Sequence, residues 1–195
     1  MKSVNDEGIK DINKFLNSQE IIREFLEGAI EFILQKIERN LDTFTHLFPA
    51  PANINKYTNN IKLIELDEKV ANYFLNRLPQ DCICCWDLIF TGGTQERDSS
   101  AAAIAACGLL ELSKHLPLED IMKKIYENAA VNAVNIVKSL AEGYTSITDP
   151  KSNGILLHAV YSKPDGKGVD ECNIWGDYFY FEALVRLMKE WKTYW

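Results

Sequence analysis

A chain of 195 residues, 47% apolar and 25% charged, has the make-up of one soluble globular domain. Its net charge of −7, with the basic residues scattered, argues against a nucleic-acid backbone as partner. No apolar run approaches the roughly 18 residues needed to span a bilayer, and the opening MKSVNDEGIKDINKFLNSQE has no signal-peptide core. With five cysteines, an odd number, this predicts reduced thiols, a cytoplasmic location and no membrane partner. Residues 1–17 are polar and predicted to be loose. Helical spacing of apolar residues then predicts a helix from Gln19 to Phe44, with Asn17 and Glu20 as its capping box. Two prolines and several asparagines predict a loop from Thr45 to Asn60. Val70, Ala71, Phe74, Leu75 and Leu78 share one face of a predicted helix from Leu66 to Leu78, stopped by Pro79.

The segment QDCICCWDLIFTGGTQE reads as a loop with a short extended piece at Ile83 to Phe90 and a turn at Gly92 and Gly93. An alanine-rich helix follows from Ser99, with Asp98 as its N-cap. Pro117 opens a further helix, predicted from Leu118 to Leu140, with Ile121, Ile125, Ala129, Ala133, Val134 and Val137 as apolar positions. A long loop from Glu142 to Trp175 precedes a last helix, from Tyr178 to about Glu190, with Asp177 as cap. The chain therefore reads as all-α. Ala101, Ala102, Ala103, Ala105 and Ala106 cover too many directions to serve a single contact. Small side chains let helix backbones approach closely, so this helix is expected to be flanked on more than one side. Helix pairs stacked around a common axis suit that pattern.

Two stretches, WDLIFTGGTQERDSSAAAIAACGLLEL (Trp86 to Leu112) and LLHAVYSKPDGKGVDECNIWGDYFYFEALVRL (Leu156 to Leu187), resemble the C-terminal part of glycoside hydrolase family 88, the unsaturated glucuronyl hydrolases. KVANYFLNRLPQD (Lys69 to Asp81) and ILQKIERNLDTFTHLFPAPANINKY (Ile33 to Tyr57) resemble a late and an opening segment of the same family. The resemblance implies an (α/α)6 toroid of six helical hairpins and no metal or organic cofactor. It implies a reaction in which an aspartic acid protonates the C4=C5 double bond of a terminal unsaturated uronic acid and helps activate water. The hemiketal that forms opens and releases the next sugar. It also implies a departure. The chain passes almost directly from the opening loop near Tyr57 to the late helix near Lys69. The middle hairpins and both aspartates of the family's catalytic pair have no counterpart here. The expected fold is an incomplete (α/α)6 toroid over residues 18–195, and no catalytic residue is assigned.

By motif position in HAVYSKPDGKG (His158 to Gly168), Tyr161 would line the sugar pocket. Ser162 and Lys167 would face the sulfate or carboxylate of the neighbouring sugar, as a hydroxyl and an ammonium suit an anion. Asp165 stands where some relatives carry a second serine, and a carboxylate there would repel sulfate. The plainer reading is a surface loop held by Gly166 and Gly168. Asp98 and Asp177 offer two carboxylates of the kind glycosidases pair, but their places before Ser99 and Tyr178 favour helix caps. Trp86 and Trp175 suit sugar stacking or, more commonly, packing. Cys82 and Cys85 form one C-x-x-C around Cys84 with no second pair, and Cys107 and Cys172 stand apart, so no metal site is expected. His46, His115 and His158 are isolated in sequence. Two functional readings remain open. One is an unsaturated glucuronyl hydrolase-like protein, inactive alone, that holds unsaturated uronyl oligosaccharides. The other is a non-catalytic sugar-binding or interaction remnant, its unpartnered apolar helix faces favouring self-association.

Overall fold

The computed structural model describes residues 61–115 and 123–190. The predicted helix Gln19 to Phe44, the loop Thr45 to Asn60, the loose 1–17 segment and Pro117 lie outside these residues. In chain order the described elements are α1 (Ile61–Leu75), α2 (Ser99–Leu112), α3 (Lys123–Gly143), β1 (Ala159–Ser162), β2 (Lys167–Glu171) and α4 (Ile174–Met188). Short 3-10 turns sit at Ser113–His115 and Ser146–Thr148.

The centre of the packing is α2. Every residue in it except Leu110 is buried. It packs against both α3 and α4, and α1 and β1 also touch it. The five alanines are all buried, as the crowding argument requires. Asp98 caps α2, its carboxylate accepting from the amides of Ser100 and Ala101.

Element ends differ from expectation for local reasons. Helix α1 starts five residues before Leu66, because Leu63 and Ile64 continue the buried face. It closes at Leu75 through a turn in which the amides of Arg77 and Leu78 reach back to Phe74 and Leu75, ahead of Pro79. Helix α3 buries Ala133, Ile136, Val137 and Leu140, whereas Val134, expected on the apolar face, is 47% exposed. The predicted extended piece Ile83 to Phe90 reduces to a single bridge between Cys85 and Arg97.

The largest correction falls in the predicted loop Glu142 to Trp175. It contains the antiparallel hairpin β1–β2, in which Val160 pairs with Val169 and Ser162 with Lys167. The helix after it also starts four residues earlier than Tyr178. Asn173 accepts the amide of Gly176 and starts α4 at Ile174, so Asp177 lies in the first turn rather than at the cap. The described fold is mostly helical with this one small sheet.

Candidate functional site

The hairpin is fastened at its root to the N-terminus of α2. The carboxylate oxygen Oδ1 of Asp98 accepts from the Ser100 hydroxyl at 2.6 Å and from the amide of Val160 at 3.3 Å, besides its cap bonds. The Ser99 hydroxyl donates to the carbonyl of Leu157 at 2.6 Å, and the Ser99 amide to the carbonyl of His158 at 3.1 Å. Asp177 Oδ1 holds the incoming loop by accepting the amides of Ile155 and Leu156 at 2.9 and 2.8 Å. Both aspartates considered as an acid/base pair are thus occupied with backbone amides. The expectation of a cap holds for Asp98; Asp177 is a loop clamp instead.

The three sequence-predicted binding residues occupy one short strand pair. Ser162 and Lys167 are direct cross-strand partners. Tyr161, 65% exposed, rests its ring 5.7 Å from that of Trp175. The alternation of β1 sends Tyr161 and Ser162 to opposite faces. The Trp175 indole N–H donates to the Ser100 hydroxyl at 3.3 Å, so this tryptophan joins the hairpin to the start of α2. Trp86 is anchored by a 3.0 Å bond to the Gln95 side chain. Lys163 pairs with Glu96, whose carboxyl this hydrogen bond holds below its ordinary range. The Ser162 hydroxyl donates to Asp165 Oδ2 at 2.8 Å. Tyr161 packs against Gly168, where a Cβ would come within 2.9 Å of the tyrosine's own, and the glycine's φ of +54° suits that close approach.

Beside the hairpin root lies a hollow of about 320 Å³ lined by Arg97, Gly143, Tyr144, His158 and Asp170. Asp81 stands behind it. Burial pushes the Asp81 carboxyl up, but bonds from the Tyr144 hydroxyl, the Arg97 guanidinium and the Ile83 amide outweigh burial and hold it below its ordinary range. Burial and the Asp81 carboxylate together push Tyr144 up to about 12. Arg97 also donates to Cys85 Sγ at 3.1 Å, and Cys84 donates to the carbonyl of Asp98 at 3.4 Å. Burial pushes the Cys84 thiol well up. These cysteines are packing groups around the arginine. Among the described residues no cluster of three or more His, Cys, Asp or Glu side chains could hold a metal ion.

His158 is not isolated. Its Nδ1 lies 2.6 Å from Asp170 Oδ1, twelve residues further on. The signal was obscured because the two residues meet only when the hairpin folds back. No described helix is long and apolar enough to cross a membrane.

No family model matches the chain. It is 53% identical over 132 residues to the unsaturated chondroitin disaccharide hydrolase of Streptococcus pneumoniae, covering 67% of this chain and 33% of that protein. It is 36% identical over 142 residues to the unsaturated glucuronyl hydrolase of Bacillus sp. GL1, covering 72% and 37%. The crystal structure of the Streptococcus agalactiae unsaturated glucuronyl hydrolase matches with a TM-score of 0.67 and 42% identity, over 76% of this chain and 37% of that one. A variant of that enzyme has been solved in complex with dGlcA-GalNAc6S. The chain spans about a third of the length of the curated relatives it matches. With identity this high over two thirds of its residues, and with a described fold that follows solved relatives, the chain belongs to the unsaturated glucuronyl hydrolases, glycoside hydrolase family 88.

Proposed function

We propose that this chain is an internally shortened unsaturated glucuronyl hydrolase that holds an unsaturated uronyl oligosaccharide in the cytoplasm without cleaving it. The observation that carries the reading is the hairpin. Ser162 and Lys167 are cross-strand partners on one face, and Tyr161 stands exposed on the other, all on a root fixed to α2. A hydroxyl and an ammonium on paired strands suit a carboxylate or sulfate on the sugar next to the unsaturated ring.

The inactivity has its own support. Protonating the double bond requires a carboxylic acid within reach of the ring carbon. Asp98 and Asp177 hold backbone amides, and Asp165 accepts from Ser162. None is an unengaged acid, and none matches the family's catalytic pair in the motifs above. Purified chain mixed with an unsaturated chondroitin disaccharide should leave the absorbance of the conjugated double bond unchanged. Calorimetric titration with the same disaccharide should give saturable heat. Clear turnover would overturn inactivity, and heat equal to buffer would overturn binding.

A second reading rests on a different observation. Ile174, Phe181 and Met188 of α4 are 80%, 63% and 84% exposed, and Tyr178 is exposed beside them. They recur at intervals of three, four or seven residues, the spacing of an apolar helix seam. Self-association of two copies through this face is the expected consequence. Size-exclusion chromatography with light scattering should report a species heavier than 22.2 kDa. A stable monomer at that mass would remove this reading.

A further inference from the structure

Three alternate residues along the returning arm of the hairpin, Gly166, Gly168 and Asp170, have left-handed backbones, with φ of 62°, 54° and 62°. Glycine adopts that conformation without a side-chain penalty, and two of the three positions have it. The third carries a carboxylate. The register explains the bend there: Ala159 pairs with Glu171 and Val160 with Val169, so Asp170 is the extra residue of a β-bulge. Across from it, His158 also stands at φ 62°. Both residues hold a conformation that glycine would adopt more cheaply, and their side chains meet at 2.6 Å. The Tyr144 ring stands edge-on to the imidazole at 5.8 Å. The backbone carbonyl of His158 is itself tied to the Ser99 amide at the start of α2. A second hollow of about 280 Å³, lined among others by Ser152 and Cys172, shares His158 and Asp170 with the first. The pair is the partition between the two.

We propose that His158 and Asp170 are positioning residues of the sugar-contacting hairpin: their hydrogen bond latches the β2 bulge to the N-terminus of α2 and sets how Tyr161, Ser162 and Lys167 are presented. The sugar-binding part of this statement rests on the reading above; the latch does not. A bulge that served only to turn the chain would be best built from glycine. Side chains at both strained positions are explained by the bond they make.

The test compares Asp170→Gly with Asp170→Asn in the full chain. Glycine relieves the backbone and removes the bond. Asparagine tolerates the left-handed region and keeps an acceptor oxygen. Hydrogen exchange of the amides in Ala159–Ser162 and Lys167–Glu171 should rise about fivefold in Asp170→Gly and return to the wild-type rate in Asp170→Asn, with α2 unchanged in both. Because glycine also loosens a chain, His158→Gly is made alone and together with Asp170→Gly. The double variant should show less than the sum of the two single increases, since one bond can be lost only once. If Asp170→Gly does not fold, His158→Gly against His158→Asn provides the same ranking. Exchange in the glycine variants at or below the wild-type rate, or fully additive increases in the double variant, would overturn the latch. Disaccharide titration is the separate arm. Wild-type heat that falls about fivefold in affinity in Asp170→Gly links the latch to sugar binding. No heat with wild-type chain defeats the sugar reading and leaves the exchange ranking to decide the latch.

Discussion

At the scale of single residues, the site turns on which carboxylates have work already. One oxygen of Asp98 serves the Ser100 hydroxyl and the amides of Ser100, Ala101 and Val160, so this buried aspartate joins a helix end to a strand. Asp165 is different. It is exposed, and it takes the Ser162 hydroxyl, the group that the proposed function offers to a sugar anion. Replacing it by serine frees that hydroxyl and removes a negative charge close to the Ser162–Lys167 pair. Asp165→Ser should therefore tighten binding of a sulfated disaccharide by up to about fivefold, the range of an exposed charge interaction. Calorimetry at two salt concentrations checks this, since the gain should shrink as salt screens it. Tighter binding by wild-type chain would show that the carboxylate assists the contact.

At the scale of elements, α2 and α4 are joined by an ion cluster as well as by small residues. The Arg186 side chain is only 2% exposed and lies between Glu111 of α2, at 2.6 Å, and Glu182 of α4, at 2.7 Å. Lys114 also reaches Glu111, at 2.9 Å. Cys107, on the same side of α2, donates to the carbonyl of Phe179 at 3.3 Å. Without the arginine, buried Glu182 would lose this cation and Glu111 would keep only Lys114. Arg186→Met should cost about 3–5 kcal/mol in urea unfolding, and adding Glu182→Gln should restore part of it. A loss below about 1 kcal/mol would mean that the cluster does not join the two helices energetically.

At the scale of the whole molecule, these carboxylates set how stability depends on pH. Burial pushes Glu111 up, but Lys114 and Arg186 outweigh burial and hold it below its ordinary 4.5. Asp81 is likewise held below 3.8. A depressed folded-state value stabilises above the unfolded value and is lost as pH falls through the folded one. Urea midpoints should therefore hold on the acid side down to about pH 4.5 and then decline. Tyr144 acts in the opposite sense. Raised to about 12, it stabilises below its ordinary 10 and loses that contribution as pH climbs toward 12. Midpoints that stay flat below pH 4 would contradict the carboxylate account.

The division between sequence and structure follows the distance over which each interaction acts. The helical periodicity of α1, the Asp98 cap and the crowding of α2 were legible because they depend on residues within a turn of one another, or on the shared smallness of neighbours. The membership of the chain in its family was legible from long motifs, which also nominated Tyr161, Ser162 and Lys167 as candidates. Their arrangement was not. That Ser162 meets Lys167 requires a strand pair inside a segment that reads as loop. That Asp177 holds Ile155 and Leu156 rather than capping a helix requires a chain reversal of more than twenty residues. The Arg186–Glu111 contact spans 75 positions, and the His158–Asp170 latch needs a bulge. Local pattern thus determined which segments coil and where one of them is capped. Only the folded path of the chain decided which polar groups meet, because a hydrogen bond forms between neighbours in space.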